Sequence, residues 1–325
     1  MLLEKIDTTE FTQPTDYATK STVQQLYSAT NRKTASDSPF FSTQFDTASS
    51  IFWLSLRPDC PPKFTPGLLQ AFREFQSNFE NHYRNRAKSQ APTIPKYLVF
   101  TSEIADTFNL GGDLPYFYML IKNGERKRLR EYARACVELV YQNSIAMDMP
   151  MTTIALVKGN AMGGGMEAAL SANVLVAEQR ARFGFPEITF GMFPGMGALS
   201  FLSRKISPAI AQRIIIDHRI YTATELYEMG VVDILAPDGE GRAAVNDYMQ
   251  RHVSLAPGYH GIQAAIDRVN PVNYEEMHDV VNIWVKTALQ LSKKNRRLMA
   301  YFARAQARRH ISPDSMVGVI DFNSA

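Results

Sequence analysis

The chain has 325 residues, 45% of them apolar and 11% aromatic, enough to fill a sizeable core and to exclude a wholly disordered protein. Thirty-five Lys and Arg against 32 Asp and Glu leave a net charge of +3, too balanced for a protein devoted to nucleic acid. Two cysteines, Cys60 and Cys136, cannot build a disulfide framework, and the six histidines fall into no HExxH or HxH spacing, which argues against a histidine metal site. No run approaches 18 uninterrupted apolar residues, and residues 1–10 carry acids where a secretion signal needs basic and then apolar ones. The expectation is a cytoplasmic protein with no membrane insertion and no metal.

Residues 1–44 are rich in Thr, Ser, Gln, Asp and Lys without a sustained period, which reads as a flexible N-terminal arm. Residues 45–240 read as an α/β core. It opens with a strand over 50–56, then a helix announced by Thr65-Pro66 and carried by Leu68, Leu69, Phe72, Phe75 and Phe79 at helical spacing. A short buried strand over 97–100 leads to Asn109-Leu110-Gly111-Gly112-Asp113-Leu114, and one long helix follows, with a basic start from Lys122 to Arg134. The same grammar returns: a strand over 153–157, then Gly159-Asn160-Ala161-Met162-Gly163-Gly164-Gly165-Met166-Glu167 opening a helix, then a strand over 174–177 before Pro186-Glu187. Ser207-Pro208 and Thr222 start two more helices, and 231–235 is a last strand. Residues 241–325 read as a helical C-terminal region, suited to a lid and to subunit packing.

Two loops share one design: a buried strand ends, glycines remove side chains, and a helix starts. Glycine lets a ligand approach backbone N–H groups that a helix start leaves unpaired, so one donor from each loop could form an oxyanion hole. Tight turns alone would also account for these glycines. Gly163 to Ala168 formally matches the dinucleotide fingerprint GxGxxG/A, with Glu178 available as a ribose acid. Glu167 opposes that reading, because a carboxylate inside the motif would repel a pyrophosphate. A helix-start carboxylate such as Glu167 can be a simple cap, but the apolar Ala168-Ala169-Leu170 after it points to a buried acid with a raised pKa. Glu187 reads equally well as a solvated loop acid or as a functional one.

The segment GNAMGGGMEAAL, then PEITFG, with NLGGD upstream, resembles the crotonase (enoyl-CoA hydratase) superfamily over roughly residues 51–237. Within it, FNLGGDL, PEITFGMFPGMGALSF, NIWVKTA and RAQARR are most similar to RpfF-type diffusible-signal-factor synthases. The resemblance implies a crotonase-like spiral of β-β-α units with an α-helical C-terminal region. It implies oxyanion donors at Gly112 and Gly164, and an acid/base pair in Glu167 and Glu187. It further implies an enzyme that dehydrates 3-hydroxyacyl thioesters and hydrolyses the thioester, releasing a cis-2-unsaturated fatty acid as a quorum signal. No cofactor is implied, the acyl carrier (coenzyme A or acyl carrier protein) being part of the substrate. A plain enoyl-CoA hydratase and a non-catalytic binding scaffold stand as the alternatives.

An acyl chain needs an apolar tunnel, for which Met162, Met166, Met192, Phe193, Met196 and Trp284 are candidates beside the ordinary reading of core packing. The basic stretch from Lys122 to Arg134 could meet a carrier's phosphate or acidic face, or be a solvated surface. The stripe Leu291, Leu298, Met299 and Phe302 is compatible with subunit packing, and the resemblance implies a homotrimer or hexamer and a possible sensor-kinase partner.

Overall fold

The computed structural model of the protein describes residues 38–86, 95–253 and 256–307. Its first strand, β1 (Phe41–Asp46), begins inside the segment that composition assigns to the arm, so the folded part starts earlier than residue 45. Phe41 is the reason: it is buried, and its ring meets Phe72 edge-on with centroids 4.6 Å apart. Residues 1–37 of the expected arm lie outside the described residues. Strand β2 (Ile51–Leu56) and helix α1 (Pro66–Arg86) follow, then β3 (Tyr97–Ser102) and β4 (Thr107–Asn109). The predicted single helix is two, α2 (Leu114–Lys122) and α3 (Arg126–Ser144), because Gly124 takes a positive φ of 68° that ends the first.

Next come β5 (Thr152–Val157), β6 (Asn160–Met162), α4 (Gly164–Leu170), β7 (Val174–Glu178) and β8 (Arg182–Gly184). A 3-10 turn over Pro186–Phe190 leads to α5 (Ala198–Lys205), α6 (Pro208–Ile216), β9 (Tyr221–Thr222), α7 (Ala223–Glu228) and β10 (Ile234–Ala236). The C-terminal region is helical throughout its described length: α8 (Gly241–Val253), α9 (Ala256–Val269), α10 (Tyr274–Leu289) and α11 (Lys293–Ala307).

The strands form a six-stranded sheet, β1-β2-β3-β5-β7-β10, and a four-stranded one, β4-β6-β8-β9. All neighbours run parallel except β1–β2 and β8–β9. Three times the chain steps from the large sheet to the small one (β3 to β4, β5 to β6, β7 to β8) before helices carry it back. This is the spiral of β-β-α units with a helical C-terminal region that the resemblance implies. Central strands are buried on both faces, as parallel sheets require. Phe52, Leu54 and Phe100 face the main core under α1 and α3, while Ile51, Trp53, Val99 and Leu156 face a smaller one closed by Val245 and Met249 of α8.

Candidate active site

Three adjacent strands of the small sheet deliver the candidate site. Asn109 of β4 pairs with Ala161 of β6, and Met162 of β6 pairs with Gly184 of β8. Because the strands are parallel, the loops after their C-terminal ends lie side by side, the usual place for a site in such sheets. Those loops hold Gly112, Gly163-Gly164 and Glu187. The crowding makes glycine obligatory at two points. A Cβ on Gly165 would strike Asn109 O, and one on Gly163, which has φ +53°, would strike Glu187 Oε1. A Cβ on Gly164 would stand 3.4 Å from Gly112 N, so the two predicted donors are neighbours.

The N–H groups of residues 110–114 are almost all used. Leu110 N–H donates to Pro62 O (2.7 Å), Gly111 N–H to Asn109 Oδ1 (2.8 Å), Asp113 N–H to Tyr132 Oη (3.1 Å) and Leu114 N–H to Gln306 Oε1 (3.2 Å). Gly112 N–H has no partner among the described residues, and neither has Gly164 N–H, although Gly163 N–H before it bonds Gly184 O at 2.8 Å. An unpaired donor in a cavity wall seeks an acceptor, so two side by side, Gly164 buried and Gly112 half-buried, are fit to take up one ligand oxygen.

The two glutamates meet opposite treatment. Glu167, only 2% exposed in the first turn of α4, accepts from Met196 N–H (2.7 Å) and Ala198 N–H (2.9 Å) at its Oε1. Gly195 and Gly197 shape that loop: a Cβ on Gly195 would strike Trp284, and Gly197 has φ +120°. Burial pushes the Glu167 pKa up to about 7, while its backbone donors pull it down. Glu187 is half-buried as a residue, yet its Oε2 is sealed from solvent and has no hydrogen-bond partner among the described residues. Burial first, and then the charge of Glu167, push its pKa up to about 8. With fewer donors to stabilise its anion, Glu187 is the carboxyl with the stronger hold on a proton of the two.

Both carboxyls, Gly112 and Gly164 line one cavity of about 70 Å³, several times the roughly 10–15 Å³ a single water needs. Its remaining wall is apolar and includes Phe117, Met192, Phe193, Met196, Trp284 and Met299. Trp284, on α10, stacks near Phe117 with ring centroids 5.0 Å apart. Met162 and Met166 do not line it. The Met162 sulfur lies beside Gly184, 3.6 Å from where a Cβ there would stand, and Met166 is wholly buried in the core. Cys60 and Cys136 are buried free thiols, and Cys136 does reach the cavity wall. Of the stripe, Leu291, Met299 and Phe302 are buried within this chain rather than offered to another subunit, and Leu298 is half-buried against the same core. On the basic stretch, Arg128 pairs with Glu125 at 2.6 Å and Lys127 approaches Glu131 at 3.9 Å.

A family model described as enoyl-CoA hydratase/isomerase matches residues 86–258, more than half of the chain. The chain belongs to the enoyl-CoA hydratase/isomerase family. Crotonyl-CoA hydratase of Syntrophomonas wolfei subsp. wolfei is 28% identical over 180 residues, 53% of this chain and 66% of that one. The peroxisomal fatty acid beta-oxidation multifunctional protein of Arabidopsis thaliana is 32% identical over 133 residues, 41% of this chain and 18% of its own length. The chain thus spans less than two thirds of these curated relatives. The crystal structure of an enoyl-CoA hydratase/isomerase from Xanthobacter autotrophicus Py2 shares the fold, at TM-score 0.66 and 18% identity over 87% of this chain and 98% of that one.

For this family member the dinucleotide alternative has no room. Glu187 Oε1 sits where a pyrophosphate would meet the Gly163 turn, and Glu178 is engaged with Arg180 (3.1 Å) and Gly241 N–H (3.3 Å). Sequence reasoning missed Tyr132, Asp113, Lys63 and Gln306, which frame the first glycine loop. Tyr132 Oη donates to Phe64 O, and Lys63 Nζ bonds Asp113 Oδ1 at 2.8 Å while Asp113 caps α2. Only the cap had a sequence signal, Asp113 two residues before Pro115.

Proposed function

We propose that this protein catalyses addition and removal of water across the α,β bond of an acyl thioester, with coenzyme A as the acyl carrier. The thioester oxygen sits between Gly112 N–H and Gly164 N–H, where charge develops when the α-carbon becomes enolate-like. In hydration, Glu167 takes a proton from water as its oxygen bonds the β-carbon, and the Glu187 carboxyl gives its proton to the α-carbon. Dehydration runs the same path backwards, with the β-hydroxyl leaving as water. The carrying observation is the pairing of two unpartnered N–H groups with two buried carboxyls of unequal proton affinity in one apolar cavity. No further cofactor enters these steps.

A finer possibility rests on the resemblance carried by PEITFGMFPGMGALSF and NIWVKTA: a signal-factor synthase acting on 3-hydroxyacyl-[acyl carrier protein]. There the same two N–H groups would hold the tetrahedral intermediate of thioester hydrolysis, and a glutamate would activate the second water. A homotrimer or hexamer also belongs to this proposal. It draws support from α9, which presents Tyr259, Ile262, Ile266 and Val269 to solvent, Val269 at 84% exposure.

Incubation with 3-hydroxyacyl thioesters on either carrier, followed by mass spectrometry, tests both levels. Enoyl thioester alone is the outcome expected of a hydratase, and free unsaturated acid that of the synthase. Unchanged substrate on both carriers would leave only a binding scaffold.

A further inference from the structure

Helix α11 reaches the candidate site at two places. Phe302 lies 5.7 Å, centroid to centroid, from Phe190 on the turn that carries Glu187. One helical turn later, on the same face, Gln306 is 3% exposed and reaches the first glycine loop. Its Nε2 donates to Leu110 O (3.0 Å) and Gly112 O (2.8 Å), and its Oε1 accepts from Leu114 N–H (3.2 Å). Both amide protons and the carbonyl are therefore committed to a segment more than 190 residues away in the chain.

We propose that Gln306 is a positioning residue for the reaction, aiming Gly112 N–H at the thioester oxygen; this rests on the thioester chemistry proposed above. The peptide that bears this N–H joins Gly111 to Gly112. Its own carbonyl, Gly111 O, accepts from Phe64 N–H at 2.8 Å. The peptides on either side expose Leu110 O and Gly112 O, and those are the two oxygens Gln306 holds. Two successive glycines, the first at φ +86°, could rotate these planes at little steric cost, so hydrogen bonds hold them: Phe64 N–H holds the central peptide and Gln306 the two beside it. A buried amide stays only if its hydrogen bonds are made, which ties the side chain to this one loop geometry. The helical C-terminal region thereby sets the polarising group directly, beyond covering the cavity.

The test compares wild type with Gln306→Met, which keeps length and bulk and removes all three bonds. Turnover of crotonyl-CoA and the red shift of bound hexadienoyl-CoA, which reports carbonyl polarisation, are read together with the melting temperature. The variant is expected to bind hexadienoyl-CoA without the wild-type red shift and to lose about 10- to 100-fold in kcat with little change in KM. A retained red shift with normal kcat, or activity lost only in step with folded protein, would overturn the proposal. Gln306→Glu covers the case of a misfolded Met variant. Its carboxyl donates one bond when protonated and none when ionised, so the red shift should return as pH falls, and its failure to do so counts against the proposal. Wild type showing neither turnover nor red shift would instead remove the thioester assignment beneath it.

Discussion

Glu187 has the stronger hold on a proton because only its own backbone N–H stabilises its charge, whereas three backbone donors from Met196, Gly197 and Ala198 temper the same burial at Glu167. That difference has a consequence for stability. Both folded-state values lie above the ordinary 4.5, so the folded chain binds protons that the unfolded chain has already released. The stabilisation this gives is complete below about pH 4.5 and is lost as pH rises through about 7 and then about 8. Glu187→Gln cannot carry the buried charge. Thermal melts of wild type and this variant are expected to converge near pH 5 and to separate above pH 8, with the variant the more stable; a constant gap across that range would contradict the assignment. Gly163 shows the same economy of space in a backbone: only a glycine leaves the Glu187 carboxyl where it is.

Helices were legible wherever the start signal is local. Thr65-Pro66 and Ser207-Pro208 do open α1 and α6, and Thr222 caps α7 through a reciprocal pair with Glu225. The strands β4, β6 and β8 were not, since three residues are too few to display a period, yet they aim all three functional loops. Likewise nothing local in FPGMGA announces that its N–H groups turn back onto Glu167, because that contact spans about 30 positions. Trp284 was legible as a large apolar face, but its seat depends on α10 being correctly ended. Asn273 Oδ1 caps that helix, accepting from Glu275 N–H (2.9 Å) and Glu276 N–H (3.2 Å). Asn273→Ala is expected to cost about 1 kcal/mol in urea unfolding. A change within error would mean the cap is not what holds the end of α10.

Across the molecule, the pattern of strand, glycine loop and helix was enough to expect the spiral, since each turn of it is local in sequence. What the chain order hides is convergence. Gly112, the pair Gly164 and Glu167, and Glu187 come from three separate turns of the spiral, and α10 and α11 return from the far end to close the cavity over them. The C-terminal stripe illustrates the difficulty, because Met299 and Phe302 look equally suited to another subunit or to their own core until the fold decides. The division of labour between the two carboxyls is the claim on which the function rests, and isotope exchange separates their roles. In deuterated water, wild type should both hydrate crotonyl-CoA and wash deuterium into the α-carbon of butyryl-CoA. Glu187→Gln should lose both activities by about 10²- to 10⁴-fold, and Glu167→Gln should lose hydration to a similar degree while retaining most of the exchange. Exchange at the wild-type rate in Glu187→Gln, or unimpaired hydration in either variant, would contradict the account.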